Sequence, residues 1–311
     1  MTQDQDSTFQ TLPDPAGFGP GAAVWRALLL IAFIALTIPL WVSQMGIGLD
    51  ASWNTGIHMA SAKGMVYGKD VLFTYGPLGF ALLPKHYAGL NVHAVALRLG
   101  LHILWWTAAG LLLFRVRGHV APLIFIVASA FSGMALEQEF NFIMAGALVM
   151  TTTSFLLLAE LDRRPAWAIP AAIVAGASVL TKFNLGVACT SALGVWSLIR
   201  LAREPNPRVL ARLTLLAMVY LASLAILFRI YGGPLSALWP FLQGSRELAS
   251  GYSSQMSLDD ARVSIIPILT LLGLAAAGLI ISVAGRSPLA VAFAIMLLPM
   301  FTLYKGAVVR Q

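Results

Sequence analysis

Charged side chains are scarce in this sequence. Only 11% of the 311 residues are Asp, Glu, Lys or Arg, whereas 59% are apolar or aromatic, and the mean hydropathy is +0.82. Soluble domains carry about a quarter charged residues, and disordered chains combine low hydrophobicity with high charge. The composition therefore excludes both an ordinary soluble enzyme and a disordered chain.

Cysteine and the common nucleotide and metal motifs are also missing. Cys189 is the single cysteine, which excludes a disulfide scaffold. The sequence has no Walker loop, no dinucleotide fingerprint after a strand and no HExxH helix. The net charge of +7 is not concentrated in a basic run, so nucleic acid is not an expected partner. What remains is an all-α polytopic membrane protein.

Long apolar runs predict how the chain crosses the bilayer. A spanning helix needs about 20 apolar residues. We predict nine spans, at residues 25–46, 92–114, 119–136, 141–160, 166–181, 184–201, 210–230, 263–284 and 288–304. The fifth and sixth spans are short and meet at Lys182, which predicts a tight helical hairpin.

The positions of the arginines predict the orientation. Short connections between alternate spans carry Arg115, Arg117, Arg163, Arg164, Arg200, Arg203, Arg208, Arg212 and Arg286. The positive-inside rule places these connections in the cytoplasm, together with the polar tail at residues 1–22. The transmembrane domain then covers residues 23–311, and its long segments 47–91 and 231–262 lie outside. Long ordered loops usually carry function, so the chemistry is expected at the outer face.

The first outer segment predicts an interfacial helix. Polar residues recur on one helical stripe at Asp50, Asn54, His58 and Ser61. An adjacent apolar stripe, suited to the headgroup boundary, consists of Trp53, Ile57 and Ala60. Asp50 follows the first span, where an unpaired buried charge costs several kcal/mol. It is interpreted as a general base or as the N-cap of the helix, and the two roles are compatible.

Three segments carry a resemblance to a known family. Asp50-Ala-Ser-Trp53, Phe73-Thr-Tyr-Gly-Pro-Leu-Gly79 and Thr181-Lys-Phe-Asn-Leu-Gly186 are similar to poorly characterised bacterial members of the GT-C superfamily of membrane glycosyltransferases. The superfamily includes the polyprenyl- or dolichyl-phosphate-sugar dependent protein mannosyltransferases and the lipid A aminoarabinose transferases. The acidic pair usual after the first span is here Asp50 followed by Ala51.

The resemblance implies an activity and a set of site residues. A sugar would pass from a polyprenyl-phosphate donor to an acceptor hydroxyl at the outer face of a bacterial inner membrane. Asp50 would be the catalytic residue, and Lys182 would hold the donor phosphate unless it is a snorkelling helix-end lysine. The predicted substrate-binding residues are Trp53, His58, Tyr75, Arg98, Lys182 and Arg310. Aromatic belts are the alternative explanation for Trp53 and Tyr75.

Further charged groups at the outer face have two interpretations each. Glu137 and Glu139 converge in an extended turn, where they either bind a divalent cation or form a solvated turn. Arg98, four residues before His102, needs a partner or a water-filled cavity unless it snorkels outward. Lys305 and Arg310 form a cationic rim for a phosphate, or they are interfacial anchors.

Two other functions remain open from the sequence. One is a transporter or flippase for a lipid-linked or small polar substrate, although mid-span charges are nearly absent. The other is an inactive, truncated membrane protein. The basic ending at residues 305–311 directly after the last predicted span suggests that the natural chain continues.

Overall fold

The protein is a bundle of α-helices. The computed structural model describes residues 19–39, 44–46, 48–82, 84–115 and 141–255, together with residues 42, 123 and 295. The helices in these ranges are α1 (Pro20–Thr37), α2 (Leu49–Ala62), α3 (Gly79–Leu82), α4 (Leu90–Leu113), α5 (Asn141–Leu161), α6 (Ala168–Thr181), α7 (Phe183–Arg203), α8 (Pro207–Tyr231) and α9 (Leu238–Gln255). Short 3-10 turns at Pro165–Trp167 and Leu235–Ala237 precede α6 and α9. The described ranges contain no strand.

Four of the described helices, α1, α4, α7 and α8, are long and apolar enough to cross a membrane. Six of the nine predicted spans overlap with α1 and α4 to α8. The predicted spans at 119–136, 263–284 and 288–304 lie almost wholly outside the described residues. The helical class is therefore confirmed, and the number of nine spans stays a prediction.

The predicted boundaries of the first span are wrong. The span was placed at residues 25–46, but α1 runs from Pro20 to Thr37. Proline is favoured at the first helical position because its φ angle already has the helical value. The backbone N–H group that it lacks would have no hydrogen-bond partner there. At the other end, Pro39 disfavours helical backbone at the residue before it. Ile38 accordingly has φ −61° and ψ 124°, and the helix stops.

Helix α6 lies among α5, α7 and α8 and packs against all three. Its buried face consists mainly of small residues, which allow neighbouring backbones to approach closely. At Gly176, a Cβ atom would lie 2.9 Å from the carbonyl oxygen of Tyr220 in α8. Close backbone approach at this glycine fixes the contact between α6 and α8.

Helices α6 and α7 form the predicted hairpin. Lys182 alone separates them, with extended backbone at φ −151° and ψ 124°. The return is tight, because a Cβ atom on Gly186 would lie 2.3 Å from the Cα atom of Val179. The prediction of a hairpin at Lys182 is confirmed.

The two long segments predicted as outer loops pack against each other and against the hairpin turn. The amide of Tyr67 donates to the carbonyl of Gly232 at 2.9 Å. Gly68, with φ +87°, approaches α9 so closely that a Cβ atom would lie 2.6 Å from the carbonyl oxygen of Ala237. The amide of Leu78 donates to the carbonyl of Leu180 at 2.8 Å. We call this side of the bundle, where α6 ends and α7 begins, the loop end.

The opposite side of the bundle, the arginine end, is held by buried and half-buried ion pairs. Arg115 after α4 makes a bidentate contact with Asp162 after α5, at 2.7 and 2.6 Å. Asp162 also accepts from Trp167 Nε1 at 2.9 Å. Arg203 in α7 donates to Glu160 in α5 at 2.5 Å. These contacts fix the ends of α4, α5 and α7 relative to one another.

Candidate functional site

Helix α2 carries Asp50 at the loop end, but the aspartate is not its cap. Gly48 is the N-cap residue, with φ 125°, and Asp50 is the second residue of the helix. The N-cap interpretation of Asp50 is therefore wrong, because the flexible glycine allows the helix to begin one residue before the aspartate. The side chain of Asp50 lies outside the described part of the structure.

The described residues of both predicted stripes of α2 are buried or half-buried. Asn54 is 8% exposed, His58 is 1% exposed, and Ile57 and Ala60 are each 4% exposed. Among the residues of α2 whose burial is described, the solvent-exposed positions are Ser52, Gly56, Met59 and Ala62. The sequence predicted the helix and its spacing, but the polar stripe is buried. An interfacial location for α2 stays a prediction.

His58 ties α2 to the segment after α3. Its Nε2 atom accepts from the amide of Lys85 at 3.2 Å, so the ring hydrogen is on Nδ1, which lies 3.0 Å from the carbonyl oxygen of Asn54. Burial lowers the pKa of His58, with the Asn54 hydrogen bond opposing and the positive charge of Lys85 adding to the shift. The ring is neutral at physiological pH, and both nitrogens contact the main chain. In this arrangement His58 positions the loop and offers no free nitrogen to a substrate.

Three aromatic rings from α2 and the following loop form a cluster. The ring centroids of Trp53 and Tyr75 are 4.9 Å apart in a stacked arrangement. Phe73 lies 5.7 Å from each of them. Tyr75 is buried, whereas Trp53 and Phe73 are partly exposed. The cluster fixes the position of Tyr75 and leaves parts of its two neighbours accessible.

Lys182 joins this cluster from the hairpin turn. Its Nζ atom donates to the Tyr75 hydroxyl at 3.0 Å and lies 4.6 Å from the centroid of the Tyr75 ring. The main chain is paired as well, since Tyr75 and Lys182 form an isolated antiparallel bridge and the amide of Phe183 donates to the carbonyl of Thr74 at 3.0 Å. Lys182 also precedes the N-terminus of α7, where the helix dipole is positive.

The arrangement brings together chemistry that suits an anion. An ammonium group, a phenol and the positive end of a helix lie at one point of the loop end, and half-buried cations bind phosphate well. Trp53 links this point to α2, and Asp50 lies three residues before Trp53 on the same helix. Asp50, Trp53, Tyr75 and Lys182 therefore belong to elements that meet at one end of the bundle.

Arg98 is a buried residue of α4. It is 5% exposed, and its carbonyl lies 2.8 Å from Nδ1 of the fully buried His102 one turn later in α4. The His102 ring makes edge contacts with Trp105 and Trp106. The sequence identified the Arg98 and His102 pair, whereas it gave no signal for the buried Arg26 in α1, which donates to the carbonyl of Leu113 in α4 at 3.2 Å.

The remaining predicted site residues lie outside the described residues. These are Glu137, Glu139 and Arg310, together with Lys305. Within the described ranges, no group of three or more His, Cys, Asp or Glu side chains could hold a metal ion. The divalent cation predicted at Glu137 and Glu139 stays a prediction.

An apolar crevice begins beside the hairpin turn. It has a volume of about 140 Å³. Its lining comes from α3, α4, α5 and α6: Leu78, Ala81, Leu97, Leu101, Leu104, Leu148, Ile173, Val174, Ala177 and Thr181. Thr181 is the residue directly before Lys182, so the crevice reaches the hairpin turn. Sequence reasoning missed this crevice because its walls come from four separate helices.

Comparison with known proteins gives no match: no family model, no curated protein and no solved structure is similar to this chain. The GT-C resemblance therefore rests on the three segments at Asp50–Trp53, Phe73–Gly79 and Thr181–Gly186 alone.

Proposed function

We propose that the protein is a GT-C-type membrane glycosyltransferase. It transfers a sugar from a polyprenyl-phosphate donor to an acceptor hydroxyl at the outer face of a bacterial inner membrane, with its N-terminus in the cytoplasm. One observation carries the proposal. The contact between Lys182 and Tyr75, with Trp53 stacked on Tyr75, links the hairpin turn to the helix that bears Asp50.

The proposed reaction divides between these elements. The acceptor hydroxyl oxygen attacks the anomeric carbon of the donor, and its proton passes to Asp50 as general base. The bond between the anomeric carbon and the phosphate oxygen breaks, and the electron pair stays on the phosphate. Lys182 stabilises the negative charge that develops on this leaving group. The Tyr75 hydroxyl accepts from Lys182 and thereby orients the ammonium group.

The apolar crevice supports a lipid-linked donor over a soluble one. It lies below the hairpin turn, between helices of which α4 is long and apolar enough to span the bilayer. An isoprenoid chain in this crevice would leave its phosphate beside Lys182. The donor then needs no nucleotide, in keeping with the missing nucleotide motifs.

Transfer from radiolabelled donors tests the proposal. The full chain is reconstituted in nanodiscs with polyprenyl-phosphate-linked sugars and envelope lipids as acceptors. We expect Asp50→Asn to lower the rate about 100- to 10,000-fold and Lys182→Gln about 100- to 1,000-fold. Matched controls are Asp70→Asn and Lys63→Gln, which alter exposed charges near the same loop end and should leave the rate unchanged.

Two results would contradict the proposed function. No transfer from any donor, together with solute uptake or lipid flipping in vesicles, would identify a transporter. Transfer that is insensitive to both Asp50→Asn and Lys182→Gln would identify a glycosyltransferase with a different site.

A further inference from the structure

The exposed face of α8 has a pattern of charge that matches the thickness of a bilayer. Arg208 and Arg212 are exposed at the arginine end, and Arg229 is exposed at the loop end. Arg208 and Arg229 are 21 residues apart, or about 31 Å at about 1.5 Å per residue. The hydrocarbon core of a bilayer is about 30 Å thick. The side chains between them on this face are large and apolar: Leu215, Met218, Leu221 and Ile226.

Among the described residues, three acidic side chains at the arginine end already form ion pairs. Glu160 pairs with Arg200 and Arg203, and Asp162 pairs with Arg115. Glu204 pairs with Arg200. None of these ion pairs involves a cation on α8.

Three exposed arginines are thus left over at this end. In the described part of the chain, no ion pair involves Arg164, Arg208 or Arg212. The first turn of α8 contains no acidic residue, so Arg208 lies at the positive end of the helix dipole without a compensating carboxylate in that turn. The excess charge is complementary to an anion at the level where the apolar face of α8 begins.

We propose that Arg208 and Arg212, with Arg164 nearby in the same end of the bundle, bind the headgroups of anionic phospholipids. The occupant is a membrane lipid because the exposed apolar residues of α8 follow the two arginines directly. A lipid in this position places its acyl chains along Leu215 and Met218 and its phosphate beside the guanidinium groups. Guanidinium groups are well suited to this, since they form bidentate contacts with phosphate.

The lipid surface is independent of the glycosyltransferase proposal. It lies at the arginine end, whereas Tyr75 and Lys182 lie at the loop end. It makes the stability of the protein depend on the charge of one leaflet. Each basic residue at an anionic surface contributes about fivefold in binding, so loss of both α8 arginines should weaken preferential binding about 25-fold.

Thermal unfolding in nanodiscs of two compositions tests this inference. We expect the Tm of the wild type to be higher with phosphatidylglycerol present than in phosphatidylcholine alone, and the difference to shrink with added salt. Arg208→Gln with Arg212→Gln should abolish most of the difference. Arg229→Gln, which removes one arginine from the other end of the same helix, should retain the difference.

Native mass spectrometry gives a second measurement that does not depend on the stability of the variants. The wild type should retain more phosphatidylglycerol than phosphatidylcholine. The single variant Arg164→Gln should show the same preference, but with a smaller excess of phosphatidylglycerol. An equal loss with Arg229→Gln would show a general charge effect and overturn the proposal. So would an unchanged lipid preference in the double variant, because another part of the protein would then cover this face.

Discussion

Single residues at the loop end have roles that differ from those their chemistry suggests. His58 lies on the same helical stripe as Asp50, yet its ring is buried and bonded to the main chain on both sides. Tyr75, in contrast, is an aromatic residue of a turn that contacts two other predicted site residues. Its hydroxyl accepts a hydrogen bond from Lys182, and its ring stacks on Trp53. The residue type defines what a side chain can do, and burial decides which of its atoms remain available.

The buried imidazole of His58 predicts a pH dependence of stability. Burial lowers its pKa from the ordinary value of 6.5 in the folded protein, whereas the unfolded chain keeps that value. The contribution of the neutral ring is therefore full above about pH 6.5 and is lost as the pH falls through the folded pKa. We expect the Tm to decrease on acidification below pH 6.5.

Two variants test whether His58 causes this pH dependence of the Tm. His58→Gln should have a lower Tm than the wild type at neutral pH and a flatter decline on acidification. His86→Gln, which changes an exposed histidine in the same loop, should retain the wild-type profile. If His58→Gln retained the full acid-induced decline, other groups would be responsible for it.

At the scale of elements, the hairpin of α6 and α7 determines where Lys182 lies. The turn is tight for three reasons: Lys182 is extended, Gly186 allows α7 to approach α6 closely, and the buried face of α6 consists mainly of small residues. The first outer loop pairs with this turn through the amides of Leu78 and Phe183. The proposed phosphate site is therefore made by the packing of two distant elements and not by either one alone.

Two glycines of α7 provide a matched test of the hairpin. A Cβ atom on Gly186 would lie 2.3 Å from the Cα atom of Val179, whereas Gly194 has nothing within 4 Å. We expect Gly186→Ala to destabilise the protein by about 1–3 kcal/mol, because main-chain atoms must move. Gly194→Ala should be neutral or stabilise by up to about 1 kcal/mol, since alanine favours the helix.

Thermal unfolding and donor transfer measure the outcome. Gly186→Ala should lower both the Tm and the transfer rate, because it also displaces Lys182. If Gly186→Ala had the same Tm as Gly194→Ala, the turn between α6 and α7 would be less tightly packed than the structure indicates.

At the scale of the whole molecule, the bundle has two chemically different ends. Ion pairs of Arg115 and Arg203 hold the arginine end. Aromatic contacts and main-chain pairing around Tyr75 and Lys182 hold the loop end. We propose that the arginine end faces the cytoplasm, as the positive-inside rule expects, and that the loop end faces outward.

Cysteine labelling in intact cells tests this orientation. Cys189 is buried, and a Cys189→Ala background would remove it from the assay. Gln243→Cys on α9 and Arg164→Cys before α6 introduce exposed thiols at the two ends. A membrane-impermeant maleimide should label position 243 in intact cells and position 164 only after lysis. The reverse pattern would invert the topology and place the proposed site in the cytoplasm.

The helical class, the approximate positions of six helices and the hairpin at Lys182 could be predicted from the sequence alone. These depend on local properties: apolar runs long enough for a bilayer and the spacing of side chains along a helix. The first span shows the limit of that reasoning, since Pro39 ends α1 at Thr37 within an apolar run that continues.

Which distant residues come into contact could not be predicted from the sequence and is known only from the packed structure. Tyr75 and Lys182 are 107 positions apart, and no local pattern encodes their hydrogen bond. The burial of His58 and Arg98 and the crevice beside Thr181 depend in the same way on how separate helices pack. Whether a segment partitions into lipid depends on its own composition and can be read from the sequence. Contacts between distant segments depend on how small residues and closely approaching backbones fit together in the assembled bundle.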